Sequence, residues 1–177
     1  MKQTCHGGAI TLLIAIIGLI QAGCKSPDDG HHHYHPEVSV PDGHDIAFSL
    51  FAKGVQIYTW TGTNWTLKAP EAELYDAQGK LAGKHSKGAD GPFWEAKDGS
   101  KVVGKLLTKA DAYNSNSIPH LLLQAVSSSA KGTFSKITYI QRVDTVDGIP
   151  PANPGTQVGE EARVNYRAEY VFYRKAR

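Results

Sequence analysis

The stretch RVNYRAEYVFY, residues 163–173, decides the fold class. Val164, Tyr166, Ala168, Tyr170 and Phe172 fall on one side of an extended chain, and Arg163, Asn165, Arg167 and Glu169 on the other. Successive side chains of a strand point to opposite faces, so this stretch reads as a strand with one face in a core. The same period of two runs through residues 54–60. There Val55, Ile57 and Thr59 alternate with Gln56, Tyr58 and Trp60. In residues 71–74, Glu71 and Glu73 alternate with Ala72 and Leu74. Residues 101–109, 119–126 and 137–143 are apolar or β-branched runs of strand length. Turn chemistry separates the runs, at Asp76-Ala77-Gln78-Gly79, Asp98-Gly99, Asn114-Ser115-Asn116 and Asp147-Gly148. No stretch of ten or more residues shows a clean helical apolar period. Many short strands between turns predict an all-β fold, an antiparallel sandwich or barrel-like single domain. Residues 147–162 are a long Pro/Gly loop, of a length that is usually functional or mobile.

Upstream of the domain the composition changes twice. Residues 9–20, AITLLIAIIGLI, follow a single positive charge at Lys2. A membrane span needs about 20 apolar residues, and a signal-peptide core roughly 7–15. Residues 1–23 therefore read as a signal peptide of lipoprotein type. Ala22-Gly23 precedes Cys24, which would become the lipidated first residue, although Gln21 stands where such boxes usually have Leu. The partner this implies is the membrane, reached through a lipid anchor at Cys24. Lys25 after the Cys points to an outer-membrane lipoprotein of the cell envelope, facing periplasm or surface; the alternative is plain secretion. Residues 24–45, rich in Pro, Gly, Asp and His, read as a tether, leaving residues 46–177 as the β domain.

The two cysteines are Cys5 and Cys24, so the mature domain carries no disulfide. Without Lys2 the mature chain has 18 basic and 17 acidic residues, interspersed in sign. That balance excludes the basic footprint of a nucleic-acid binder.

Six blocks occur in order: GVQIYTW (54–60), EAELYD (71–76), FWEAKDGSKVVGK (93–105), IPHLLLQA (118–125), FSKITYIQRVDT (134–145) and EARVNYRAEYVFYR (161–174). Together they resemble the domain of unknown function 3455 family over roughly residues 40–175. The resemblance implies an exported domain with no established activity. Some members carry a dehydrogenase label, for which this sequence has neither the glycine fingerprint nor the βαβ pattern. Some relatives have a Cys near the end of the first block, where this chain has Trp60.

Four constellations are candidates for chemistry. His31, His32, His33 and His35, with Asp28 and Asp29 before and His44 after, could wrap Zn, Cu or Ni. The same residues also suit a plain polar tether, and no other cofactor is required. His85, Glu95 and Asp98, with Ser100, could serve acid–base work in a hydrolase-like enzyme, or Asp98-Gly99-Ser100 could be a tight turn. Tyr58, Trp60 and Trp94 belong to an aromatic set that could stack on sugars, or fill a core. Gln141 and Arg142 could line a pocket or sit on a strand surface, with His120 a further candidate ligand. The reading that follows is a non-enzymatic module binding an envelope glycan or protein, with metal capture by the arm as the alternative.

Overall fold

The computed structural model describes residues 36–177. Eight strands follow a short 3-10 turn at Pro36–Val38: β1 His44–Trp60, β2 Trp65–Tyr75, β3 Leu81–Gly88, β4 Gly91–Ala96, β5 Lys101–Ala110, β6 His120–Ser128, β7 Tyr139–Asp147 and β8 Glu161–Lys175. Each pairs antiparallel with the next, and β8 returns to β1, so the sheet closes as an up-and-down barrel. The all-β expectation holds, and of its two forms the barrel is the one adopted. Closure rests on the two longest strands. They pair from His44↔Lys175 to Thr59↔Glu161, leaving no edge between the first and last strands.

The inward face follows the alternation read in residues 163–173. Tyr166, Ala168, Tyr170 and Phe172 are buried with Leu50, Ala52, Leu74, Trp94, Val102, Leu123 and Ile140. On β1 the inward set is Ala52, Gly54, Gln56 and Tyr58, in register with Ala168, Tyr166, Val164 and Ala162 of β8. The connection from β6 to β7 adds Phe134 and Ile137 to the core. Phe134 packs on Phe172 and Phe48, with ring centroids 5.0 and 5.7 Å away.

The outer wall is charged. Arg167, Lys53, Glu73, Lys84, Glu95 and Lys101 follow one another across neighbouring strands in a single rung. A lipid-facing barrel carries an apolar band on its outer wall, and this rung is charged instead, while apolar side chains such as Leu67, Leu106 and Val126 are exposed elsewhere on the strands. Among the described residues no helix is long and apolar enough to cross a membrane.

Two elements differ from the sequence reading. Residues 36–45, assigned to the tether, pack on the barrel. Val38 is fully buried against Ala110 and Leu122, Gln141 Nε2 donates to the Val38 carbonyl at 2.8 Å, and Thr108 Oγ1 donates to that of Glu37 at 2.7 Å. Strand β1 starts at His44, two residues ahead of the expected start of the β domain at residue 46, and runs on through residues 54–60. This strap also explains why Glu169 and Val171, outward on β8, are buried: they line the groove between the strap and β7–β8 with Val38, Val40 and His44. The second difference is β3 and β4. Their Gly- and Lys-rich stretches, GKHSKG and GPFWEA, dilute the alternation that marks the other strands.

Candidate functional site

The barrel wall separates the proposed acid–base group. Lys84 of β3 stands opposite Glu95 of β4 and His85 opposite Trp94, so Glu95 and His85 face opposite sides of the sheet. Glu95 is outside and pairs with Lys84 at 3.1 Å. His85 is inside, stacked on Trp94 at 4.5 Å and 11°, with Tyr170 tilted against it at 4.9 Å. Its Nδ1 lies 2.8 Å from the Phe93 carbonyl, which requires the proton on that nitrogen. Burial pushes the His85 pKa down to about 3, the Phe93 bond only partly opposing it, and the nearby Arg142 charge lowers it further.

The neutral imidazole has a thermodynamic consequence. In the unfolded chain His85 takes up a proton near pH 6.5, whereas the folded chain resists it until about pH 3. The unfolded state then binds more protons, so this contribution is complete above pH 6.5 and falls by about 1.4 kcal/mol per pH unit as the solution is acidified. Denaturant unfolding at pH 6.5 and 5 is expected to show a loss of about 2 kcal/mol from this group. His85→Phe should remove that difference. An unchanged pH dependence in the variant would show that folding leaves the proton affinity of His85 unaltered.

Asp98 acts as a clasp rather than a proton donor. One carboxylate oxygen accepts from Ser100 N and Oγ, at 2.9 and 2.5 Å, and the other from Thr133 N and Oγ1, both at 2.8 Å. The Ser100 hydroxyl first, then the Thr133 amide, hold the carboxyl well below the usual carboxylate range. Ser100 Oγ also accepts from Phe134 N at 3.1 Å. The turn seen in the sequence thus anchors the loop that carries Phe134 into the core.

The aromatic candidates are also divided. Trp94 is buried, and Tyr58 is buried with its hydroxyl donating to the Gly148 carbonyl at 2.7 Å. Trp60 is half-buried at the barrel end, 5.3 Å from Trp65. The backbone of Gly155 lies so close that a Cβ there would sit 2.6 Å from Trp60 Cγ. The 148–160 loop therefore covers Trp60, and Trp65 Nε1 donates to the Asn153 carbonyl at 2.9 Å. These residues do not form an open platform for a sugar ring.

Gln141 and Arg142 separate as neighbours on a strand must. Gln141 is outward and ties the strap to the barrel, its Oε1 accepting from Tyr173 at 2.9 Å. Arg142 is inward and buried; Nε and Nη2 donate to the Pro119 carbonyl at 3.1 and 2.7 Å. His120 is buried too, edge-on to Tyr113. Among the described residues no group of three or more His, Cys, Asp or Glu is placed to hold a metal. His31, His32, His33, His35 and Cys24 lie outside the described residues.

What the structure gathers instead is an interior polar cluster: Gln56, Arg142, Tyr166 and Tyr170 beside the His85–Trp94 stack. Gln56 Nε2, Trp94 Nε1, Tyr166 OH and Tyr170 OH are buried without a hydrogen-bond partner. Burial pushes the Tyr166 hydroxyl pKa far up; Tyr170 adds to the rise and Arg142 opposes it. Tyr170 stands close enough to raise the Tyr166 hydroxyl through a hydrogen-bond interaction as well, although neither hydroxyl meets a partner at good hydrogen-bond geometry. Sequence reading missed Gln56. Its signal was a polar side chain on the same face as Ala52 and Gly54, legible once that face is known to point inward.

Residues 41–174 match the family model described as protein of unknown function (DUF3455). The chain belongs to this family. The matched region takes in the strap from residue 41 and all eight strands but for the last residue of β8, so the DUF3455 domain here is the closed barrel itself. No curated protein matches the chain.

Proposed function

We propose that the chain is an exported, lipid-anchored, non-enzymatic binding module of the cell envelope. The observation that carries the binding part is the barrel interior, where buried donors without protein acceptors accompany a buried guanidinium whose bonds go to the Pro119 carbonyl alone. Eight strands enclose a space that side chains fill or that holds one small ligand. The separation of His85 from Glu95 removes the motive for acid–base chemistry. The covering of Trp60 and burial of Trp94 turn the reading from a surface glycan platform toward the interior. The export part is supported by the leader-like residues 1–23, by Cys24 and by Lys25.

Thermal unfolding of the whole chain against small metabolites and peptidoglycan fragments tests the module. A ligand that raises the midpoint saturably, and does so less in Arg142→Met, supports it. A panel without effect, with no envelope component retained on the immobilised protein, rejects it. Labelling with radioactive fatty acid, lost in Cys24→Ala, tests the anchor.

The second reading, metal capture by His31, His32, His33 and His35, is supported by where that arm ends. In the sequence the arm precedes the strap pinned by Gln141 and Thr108, and its four imidazoles suit Zn, Cu or Ni. Calorimetry with and without residues 30–35 separates the two. Stoichiometric binding lost with the deletion places metal on the arm, and equal binding in both chains rejects it.

A further inference from the structure

The interior cluster has a definite chemical sign. Trp94 Nε1 and Gln56 Nε2 are donors only, and the Tyr166 and Tyr170 hydroxyls have a proton to give. All four residues are at most 2% exposed. Leaving such groups unpaired costs about 1–3 kcal/mol each, so a fold that retains four of them has something to satisfy them. Arg142 adds a full positive charge, and its two observed bonds go to one neutral carbonyl. The ion pairs among the described residues join Lys68 to Glu161, Lys84 to Glu95 and Arg163 to Glu71, and none reaches Arg142. A buried charge without a counter-charge is more costly than a buried dipole.

These groups lie together. Arg142 stands directly opposite Tyr170 in the β7–β8 register, both facing inward. Tyr170 in turn lies 5.2 Å from Trp94, ring to ring. Gln56 and Tyr166 close around Gly148, where an added Cβ would meet Tyr166 Cβ at 2.8 Å and Gln56 Cγ at 3.4 Å. The positive charge of Arg142 is felt at Tyr58, His85 and Tyr166. His85 is neutral there and brings no competing charge. Among the described residues the cluster therefore consists of one cation and several donors, and no carboxylate pairs with that cation.

We propose that the barrel interior binds one small monovalent anion, a halide or a short carboxylate such as formate or acetate, held by Arg142 with Tyr166, Tyr170 and Gln56 donating to it. Monovalence follows from the single cation. Small size follows from an interior already filled by Trp94, Tyr166, Tyr170 and Phe172. The proposal rests on the binding-module reading and names its ligand class.

The test is a titration of the whole chain with chloride, bromide, formate and acetate. Ionic strength is held constant with gluconate, which is too bulky to enter. The expected result is a saturable rise in unfolding midpoint with a halide or a short carboxylate, and the two arms show which is preferred. For the halide arm, chloride NMR line broadening should be reversed by bromide. Arg142→Met should lose the response. Tyr166→Phe and Tyr170→Phe keep the ring packing and should each weaken binding by about tenfold, so the test survives if the arginine variant fails to fold. Flat titrations in all four salts would show that buried water satisfies the donors and would overturn the proposal. An equal response in the tyrosine variants would overturn it as well, by placing the effect on the outer surface. If neutral metabolites stabilise the barrel while all four anions are silent, the anion is wrong and the binding module stands.

Discussion

Trp94→Ala is expected to destabilise the barrel by about 3–5 kcal/mol, the range for removing a large aromatic from a packed core. Trp94 is 1% exposed and its ring meets His85, Tyr170 and Phe172 at 4.5, 5.2 and 6.0 Å. Deleting it empties the middle of the interior and leaves His85 without the face on which it stacks. For a domain of this size the loss corresponds to a fall in unfolding midpoint of roughly 10–20 °C. Trp60→Ala provides the comparison. Trp60 is half-buried under a loop, so its replacement is expected to cost about 1–2 kcal/mol. Urea unfolding of the two variants measures both. Equal, small losses would mean that Trp94 is not the centre of the core and would reopen the surface-platform reading.

The second large effect is expected at Gly54. A Cβ on this residue would lie 2.1 Å from the Glu71 carbonyl oxygen and 2.5 Å from Ala72 Cα, on the strand paired with it. These are backbone atoms of a continuous ladder and cannot swing aside as a side chain would. Gly54→Val should therefore cost about 3 kcal/mol or more, at or beyond the upper end for overpacked sites, by prising β1 from β2. Gly79 is the control. It sits in the turn after β2 with φ +75° and open space around its Cα, so Gly79→Ala carries only the left-handed backbone cost of about 1–2 kcal/mol. Circular dichroism with denaturant melts of both variants decides the matter. A Gly54→Val chain as stable as the Gly79→Ala chain would show that the wall is not tight at this point.

Residues 163–173 carried most of the fold in plain view. Their alternation predicts the strand, and the side chains that enter the core are the ones that share a face with Tyr170, whereas Glu169 and Val171 on the other face are buried only by the strap. The turns at Asp76, Asp98 and Asn114 were legible for the same local reason, because short polar side chains there accept from nearby backbone amides, as Asp76 Oδ1 does from Gln78 and Lys80. Residues 54–60 show the limit. Their alternation defines two faces without saying which is inward, since Val55 and Ile57 are as apolar as Tyr58 and Trp60. The choice came from the register with β8, which sets Gln56 beside Val164 and Gly54 beside Tyr166. A shift of one residue would have reversed it.

The candidate site was less legible than the fold, because its members are far apart in the chain. Gln56, Trp94, Arg142, Tyr166 and Tyr170 come from β1, β4, β7 and β8, and only closure of the sheet brings those strands around one interior. Closeness in sequence misled in the opposite direction. His85, Glu95 and Asp98 share a hairpin-like stretch, but pairing of Lys84 with Glu95 puts the wall between two of them, and Asp98 is drawn away to Thr133. By itself, then, the sequence determined the period-two strands, the turns between them and the family, since each is written in neighbouring residues. Closure into a barrel, the inward choice on β1, the docking of residues 36–45 and the polar cluster around Arg142 were decided only by the tertiary structure. Each depends on which distant strands meet, and in what register, and a local pattern carries no information about that.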